Sequence, residues 1–223
     1  MGFQFQLYLI TDDIGRAPRE LSEIVEAAVS GGVTAVQFRE KSASADQCRE
    51  CIRLLGATCA EAGVPLMINA SVAERAGVPN GVSGVHCGSA TWRGFQPEPQ
   101  GALHARSGEI ILGYSAHAID EAARAIREGA GFVTLSPIFE TPSKSGVLAP
   151  RGTGFLREAR AALPGVDIVA LGGVNSGNAA EVIAAGAEGV AVIRAVMAAP
   201  DPLEAARGLR AAIALGLKLR TGF

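Results

Sequence analysis

One pattern recurs along the whole chain. A helix-forming stretch ends in glycine, a short apolar run rich in β-branched residues follows at once, and that run ends in polar residues. The junctions are Ser30-Gly31-Gly32-Val33, Ala62-Gly63-Val64-Pro65, Glu128-Gly129-Ala130-Gly131 and Ala185-Gly186-Ala187-Glu188. Glycine just past a helix takes the left-handed conformation without a Cβ clash, so the next strand starts within a short loop. The runs Leu7–Thr11, Ala35–Phe38, Pro65–Ile68, Gly84–His86, Ile110–Tyr114, Phe132–Leu135, Asp167–Leu171 and Gly189–Ile193 read as strands buried on both faces. Between them lie the helical stretches Arg19–Ser30, Ala45–Ala62, Ile119–Glu128, Asn178–Ala185 and Pro202–Ala214, with Ser44, Ser176 and Asp201 near helix starts as N-caps. Helices after the third and fourth strands are weakly marked, and Thr91–Gln100, with Pro97 and Pro99, reads as a loop. The alternation predicts an α/β chain folded as one (β/α)8 TIM barrel over residues 1–215, with a C-terminal tail at 216–223. A doubly wound open sheet is the rival; no G-x-G-x-x-G follows the first strand to support its dinucleotide-binding form.

Composition removes several classes of function. Lys+Arg 20 against Asp+Glu 22 gives a formal net charge of −2, which offers no basic surplus for nucleic acid or an anionic membrane. No apolar run reaches the roughly 20 residues of a membrane span. Met1-Gly2-Phe3-Gln4 lacks the basic start of a secretory signal. The expectation is a cytoplasmic enzyme of small molecules, and assembly into a homo-oligomer is compatible with it. Cys48 and Cys51 form a C-x-x-C, but no second ligand pair or redox context accompanies it. With Cys59, they recur at helical spacing among Ile52, Leu54 and Leu55 and read as small apolar helix residues.

In such a barrel the active site lies at the C-terminal ends of the strands. Those ends deliver Thr11, Asp12 and Asp13; Gln37, Arg39, Glu40 and Lys41; Asn69; His86; Ser115 and His117; Ser136, then Thr141, Ser143 and Lys144; Gly172, Gly173 and Asn175; and Arg194. Two groups stand out. Gly172-Gly173 after the seventh strand, beside Ile193-Arg194 after the eighth, suits backbone N–H groups approaching a phosphate. Arg39, Lys41 and Lys144 form a cationic set on two loops; arginine grips phosphate with a fork, lysine as a point charge. Gln37, still inside the strand pattern, needs a partner within the barrel.

The ordered set Leu7-Tyr8-Leu9-Ile10-Thr11-Asp12, Val36-Gln37-Phe38-Arg39-Glu40-Lys41, Met67-Ile68-Asn69, Gly84-Val85-His86, Gly113-Tyr114-Ser115-Ala116-His117, Ser136-Pro137-Ile138-Phe139-Glu140-Thr141-Pro142-Ser143-Lys144, Leu171-Gly172-Gly173-Val174 and Gly189-Val190-Ala191-Val192-Ile193 resembles the thiamine phosphate synthase and thiazole tautomerase (TenI-like) superfamily. The resemblance implies a (β/α)8 barrel that binds a thiazole phosphate. In the synthase branch, the positions of Gln37, Arg39, Lys41, Asn69, Ser115, Thr141 and Lys144 contact a pyrimidine diphosphate. Gly172, Gly173 and the amides of Ile193 and Arg194 would hold the thiazole phosphate.

The sequence departs from that branch where magnesium binds. Ala70 follows Asn69 where the synthases have Asp, and Cys87-Gly88-Ser89-Ala90-Thr91 carries no carboxylate. The tautomerase branch needs neither magnesium nor diphosphate, and a His at the position of His117 carries its proton; an imidazole accepts and donates near neutral pH. The sequence reading is therefore a thiazole tautomerase-like isomerase with His117 catalytic, no metal site and no cofactor. The alternatives are a thiamine phosphate synthase whose Mg2+ is held by Asp12, Asp13 or Glu140, and a non-catalytic thiazole-phosphate binder. His86 reads equally as a second acid or base and as a rim residue, and His104 as a surface residue.

Overall fold

A computed structural model describes residues 5–12, 18–95, 110–141 and 148–221. Eight parallel strands pair in chain order and the last closes on the first: β1 (Leu7–Ile10), β2 (Ala35–Phe38), β3 (Leu66–Asn69), β4 (Gly84–Cys87), β5 (Ile111–Ala116), β6 (Phe132–Leu135), β7 (Ile168–Leu171) and β8 (Gly189–Val192). The register joins Leu9 to Val36 on one side of β1 and to Val192 on the other. The expected (β/α)8 barrel is the observed fold.

The helices between the strands are α1 (Pro18–Ser30), α2 (Ala45–Glu61), α3 (Ala70–Ala76), α4 (Trp92–Phe95), α5 (Ile119–Arg127), α6 (Gly152–Ala162), α7 (Ala179–Ala184), α8 (Arg194–Met197) and α9 (Pro202–Thr221). Ser44 opens α2 with a full capping box: its side chain accepts from Gln47 N–H, and the Gln47 side chain accepts from Ser44 N–H. Asp201 Oδ1 accepts from Glu204 N–H at the start of α9. Ser176 is not a cap; Asn178 occupies that position for α7. Sequence reading passed over α6, whose first turn holds Gly152 and Gly154, poor helix formers. It also stopped the last helix too early. Gly216 lets α9 lie against α7, since a Cβ there would meet Ala180 O at 2.5 Å, and Arg220 donates to Ala187 O at 3.1 Å. Residues 216–221 are therefore helix, not tail.

Strand side chains alternate between two cores. Leu7, Leu9, Val36, Phe38, Ile68, Val85, Leu135 and Val190 face the helices. Tyr8, Ile10, Ala35, Met67, Phe132, Val169 and Ala191 fill the barrel, and Phe5 packs against Phe132 at 4.4 Å between ring centres. Gly84 and Gly113 make room for this filling: a Cβ would meet Met67 Cε at 2.5 Å and the Phe132 ring at 2.4 Å. All four cysteines are free thiols buried in the outer core, with Cys48, Cys51 and Cys59 on α2 as expected; burial pushes Cys51 up to about 11 and Cys59 and Cys87 up to about 12. No helix among the described residues is long and apolar enough to cross a membrane.

The glycine argument gives a stability test. Gly113→Ala forces the Phe132 ring out of its place, and overpacking of this kind costs about 1–3 kcal/mol. Urea unfolding should show a lower midpoint with an unchanged slope; an unchanged midpoint would mean the barrel filling has slack.

Candidate functional site

A row of polar side chains crosses the barrel above this filling. Gln37 Nε2 donates to Tyr8 Oη at 2.7 Å; Tyr8 Oη lies 3.2 Å from His86 Nδ1; His86 Nε2 lies 3.0 Å from Ser115 Oγ; Thr134 Oγ1 donates to Ser115 Oγ at 3.4 Å. Tyr8 and Thr134 are fully buried, and Gln37 and His86 are each 2% exposed. Burial drives the His86 pKa down to about 3 and the Tyr8 pKa well above its ordinary value. The ring is thus neutral and carries one N–H. With Tyr8 taking the Gln37 hydrogen and donating to Nδ1, that N–H sits on Nε2 and points to Ser115. Ser115 accepts on both sides and keeps its own proton to donate at the mouth. His86 is neither a rim residue nor an acid at neutral pH.

The loop after β2 is braced from two sides. Thr11 Oγ1 accepts from Arg39 N–H at 3.0 Å and donates to Arg39 O at 3.1 Å. Glu40 Oε1 accepts from Ser42 N–H at 2.8 Å, Ser42 Oγ at 3.1 Å and Ala43 N–H at 3.3 Å. Burial raises the Glu40 carboxyl, but the hydrogen bonds from Ser42, Ala43 and Lys41 outweigh it and hold the pKa below its ordinary value. Arg39 is half-buried and Lys41 exposed. Asn69 caps α3: its Oδ1 accepts from Ser71 N–H at 3.1 Å and Ser71 Oγ at 2.9 Å, so it can offer a ligand its amide N–H2.

His117 is tied into the wall beside the mouth. Its Nδ1 donates to Ser136 O at 2.7 Å and its backbone N–H to Glu121 Oε2 at 2.8 Å; Arg151 Nη1 donates to His117 O at 3.0 Å. Glu121 also accepts from Tyr114 Oη at 2.6 Å. Across the mouth, Gly172 and Gly173 have φ of 101° and 68°. A Cβ on Gly173 would meet Glu140 O at 2.5 Å, and Phe139 N–H donates to Gly172 O at 2.9 Å, so this turn is locked to the loop after β6. Ile193 is half-buried at the start of α8 and Arg194 is exposed. Thr141 is half-buried on the β6 loop; Asp13, His104, Ser143 and Lys144 lie outside the described residues.

Sequence reading missed Tyr8 and Thr134, and it placed Thr11 at the rim without its grip on Arg39. Tyr8 sat in an apolar strand; the available signal was its period-two place with Ile10, across from Gln37 on the next strand.

Fold and strand ends together define a (β/α)8 barrel with a neutral polar row beneath its C-terminal rim. The chain matches the family described as thiamine monophosphate synthase over residues 7–196, and it belongs to that family. It is 41% identical over 212 residues to the thiamine-phosphate synthase of Chloroflexus aurantiacus, covering 95% of this chain and 94% of that one. It is 38% identical over 205 residues to that of Albidiferax ferrireducens, covering 92% and 90%. The solved thiamine phosphate pyrophosphorylase of Pyrococcus furiosus superposes with a TM-score of 0.76 at 29% identity, over 96% of this chain and 98% of that one.

These relatives correct the isomerase reading. That reading rested on the missing carboxylates and on His117, whereas the likeness to named synthases extends over nearly the whole chain. The expectation that His117 carries a proton belongs to that reading; in this structure its Nδ1 donates to Ser136 O and ties the ends of β5 and β6 together.

The buried His86 makes stability depend on pH. Its folded pKa of about 3 lies below the ordinary value of 6.5, so the unfolded chain binds a proton that the folded chain refuses between these values. Unfolding free energy should fall as pH drops from about 6.5 toward 3, by up to about 1.4 kcal/mol per pH unit from this group. Urea titrations of the chain and of His86→Gln across that range should show the shallower dependence in the variant; equal slopes would mean that His86 charges in place.

Proposed function

We propose that the chain is a thiamine-phosphate synthase, the name its relatives carry, acting as a transferase that joins a hydroxymethylpyrimidine diphosphate to a thiazole phosphate as the resemblance implies. The bond from the pyrimidine's methylene carbon to a diphosphate oxygen breaks, that carbon joins the thiazole ring nitrogen, and diphosphate leaves with the electron pair. The braced Arg39–Ala43 loop carries this reading. It bears Arg39 and Lys41, which would meet the diphosphate, and the Ser115 hydroxyl would donate where negative charge grows on the leaving group. Gln37 lies beneath the barrel mouth, Asn69 ends β3 and Thr141 is on the loop after β6, and the resemblance adds Lys144 to this set. Gly172, Gly173, Ile193 and Arg194 take the thiazole phosphate at the ends of β7 and β8.

The family implies Mg2+; the positions after β3 and β4 supply no carboxylate for it, which leaves Asp12 at the end of β1, one of whose carboxylate oxygens is buried, and Glu140 on the loop after β6 as the described carboxylates that would hold it. Ala70 is 1% exposed within the apolar packing. The β4 loop closes on itself through Thr91 Oγ1, which meets Gly88 N–H and O at 3.2 Å each. Glu40 is committed to backbone amides. Among the described residues no three His, Cys, Asp or Glu side chains are grouped to share a cation. In this reading Arg39 and Lys41 take a share of the diphosphate charge.

Incubation with both substrates should yield thiamine phosphate and diphosphate in equal amounts. Arg39→Ala should raise KM for the pyrimidine diphosphate about ten- to a hundredfold, the worth of a hydrogen bond to a charged group. Gly173→Ala should instead raise KM for the thiazole phosphate. Binding of both substrates without product would overturn the transferase reading. Lewis-acid metal catalysis is worth several kcal/mol, so chelating Mg2+ should cost less than about tenfold in turnover if cations of the chain suffice.

A further inference from the structure

Arg75 lies in the last turn of α3 and reaches across to the β2 loop. Its Nη1 donates to Ala43 O at 2.7 Å and its Nη2 to Glu40 O at 2.8 Å; Nη2 also lies 3.5 Å from Ser71 O of its own helix. Both distant acceptors belong to the loop that carries Arg39 and Lys41. Thr11 fixes that loop at Arg39, and the Glu40 carboxylate gathers the amides of Ser42 and Ala43. Neither brace holds the carbonyls of Glu40 and Ala43. Those oxygens would repel a diphosphate if the peptides turned toward it. The Arg75 guanidinium draws both toward α3 and keeps them there. A planar fork can hold two carbonyls at a fixed separation, which the single ammonium of lysine cannot do. Lys41, Ser42, Ala43, Ser71 and Glu74 line an open depression together with Arg75, so the grip and Lys41 share one surface.

We propose that Arg75 is a positioning residue for the diphosphate-bearing substrate. By gripping the Glu40 and Ala43 carbonyls it fixes the loop that presents Arg39 and Lys41. The inference rests on the transferase reading for the identity of the anion, and inorganic diphosphate tests it without turnover.

The test compares the full chain with Arg75→Met, Arg75→Lys and Arg39→Ala. Calorimetry measures binding of inorganic diphosphate, hydrogen exchange follows the Ser42 and Ala43 amides, and steady-state kinetics give KM for each substrate. Both Arg75 variants should bind diphosphate about tenfold or more weakly, since small misplacements of binding groups carry costs up to about a hundredfold. Amide exchange at Ser42 and Ala43 should quicken, and KM for the thiazole phosphate should stay within about twofold, because that site lies on other strands. If Arg75→Met does not fold, Arg75→Lys carries the comparison. Full recovery in Arg75→Lys would overturn the fork and leave only a charge. Equal losses for both substrates would reduce Arg75 to general stability and overturn the proposal. Weakened binding in Arg39→Ala with none in Arg75→Met would also overturn it. Undiminished binding in Arg39→Ala, or none in the unaltered chain, would instead overturn the diphosphate reading.

Discussion

The site depends on a polar row that the barrel must bury. Tyr8, Gln37, His86 and Thr134 lie in the interior of eight short strands and have little or no contact with water. An unpaired polar group in such a place costs about 1–3 kcal/mol. The row meets that cost by pairing each member with the next, ending at the half-buried Ser115. The pairing also sets a direction. A charged His86 would carry a proton on both ring nitrogens and turn the Tyr8 contact into a donor facing a donor. Burial keeps the ring neutral, so one tautomer satisfies the whole row.

Above the row, the mouth is organised by backbone more than by side chains. Thr11, Glu40 and Arg75 each spend their polar atoms on the peptide groups of residues 39–43. Across the mouth, Gly172 and Gly173 adopt positive φ against the loop of Phe139 and Glu140. Charged side chains on unbraced loops lose conformational freedom when a ligand arrives; bracing the backbone removes part of that cost beforehand. A neutral floor strengthens the effect, because Tyr8, Gln37, His86 and Thr134 carry no charge that competes with an anion for cations above them.

Much of the fold was legible from local chemistry. Glycine-terminated helices followed by apolar runs placed the strands within a residue or two, because helix ends and buried strands are written in neighbouring residues. The ends that tertiary packing decides were not legible. The last turns of α9 exist because Gly216 fits against Ala180 and Arg220 finds Ala187 O, partners more than thirty residues away. The rim residues Arg39, Asn69, Ser115 and His117 could be read from their places after strands. Their commitments could not: Asn69 caps a helix and His117 joins two loops, and both facts depend on backbone atoms that the sequence does not position.

The same limit explains the misassigned branch. Two absent carboxylates and one well-placed histidine are point observations, and each has a local meaning that only the surroundings reveal. Ala70 packs into an apolar layer, where a carboxylate would need both a cation and a path to water. The Nδ1 proton of His117 is held by a carbonyl, which fixes the ring as a tie between loops. In a barrel whose rim is assembled from eight separate strand ends, changing two ends leaves the other six with their geometry. The anion's charge can then be met by neighbouring cations, provided their loop is held still. Arg75 lies where such a hold acts, and it occupies a position that neither strand periodicity nor rim order marks.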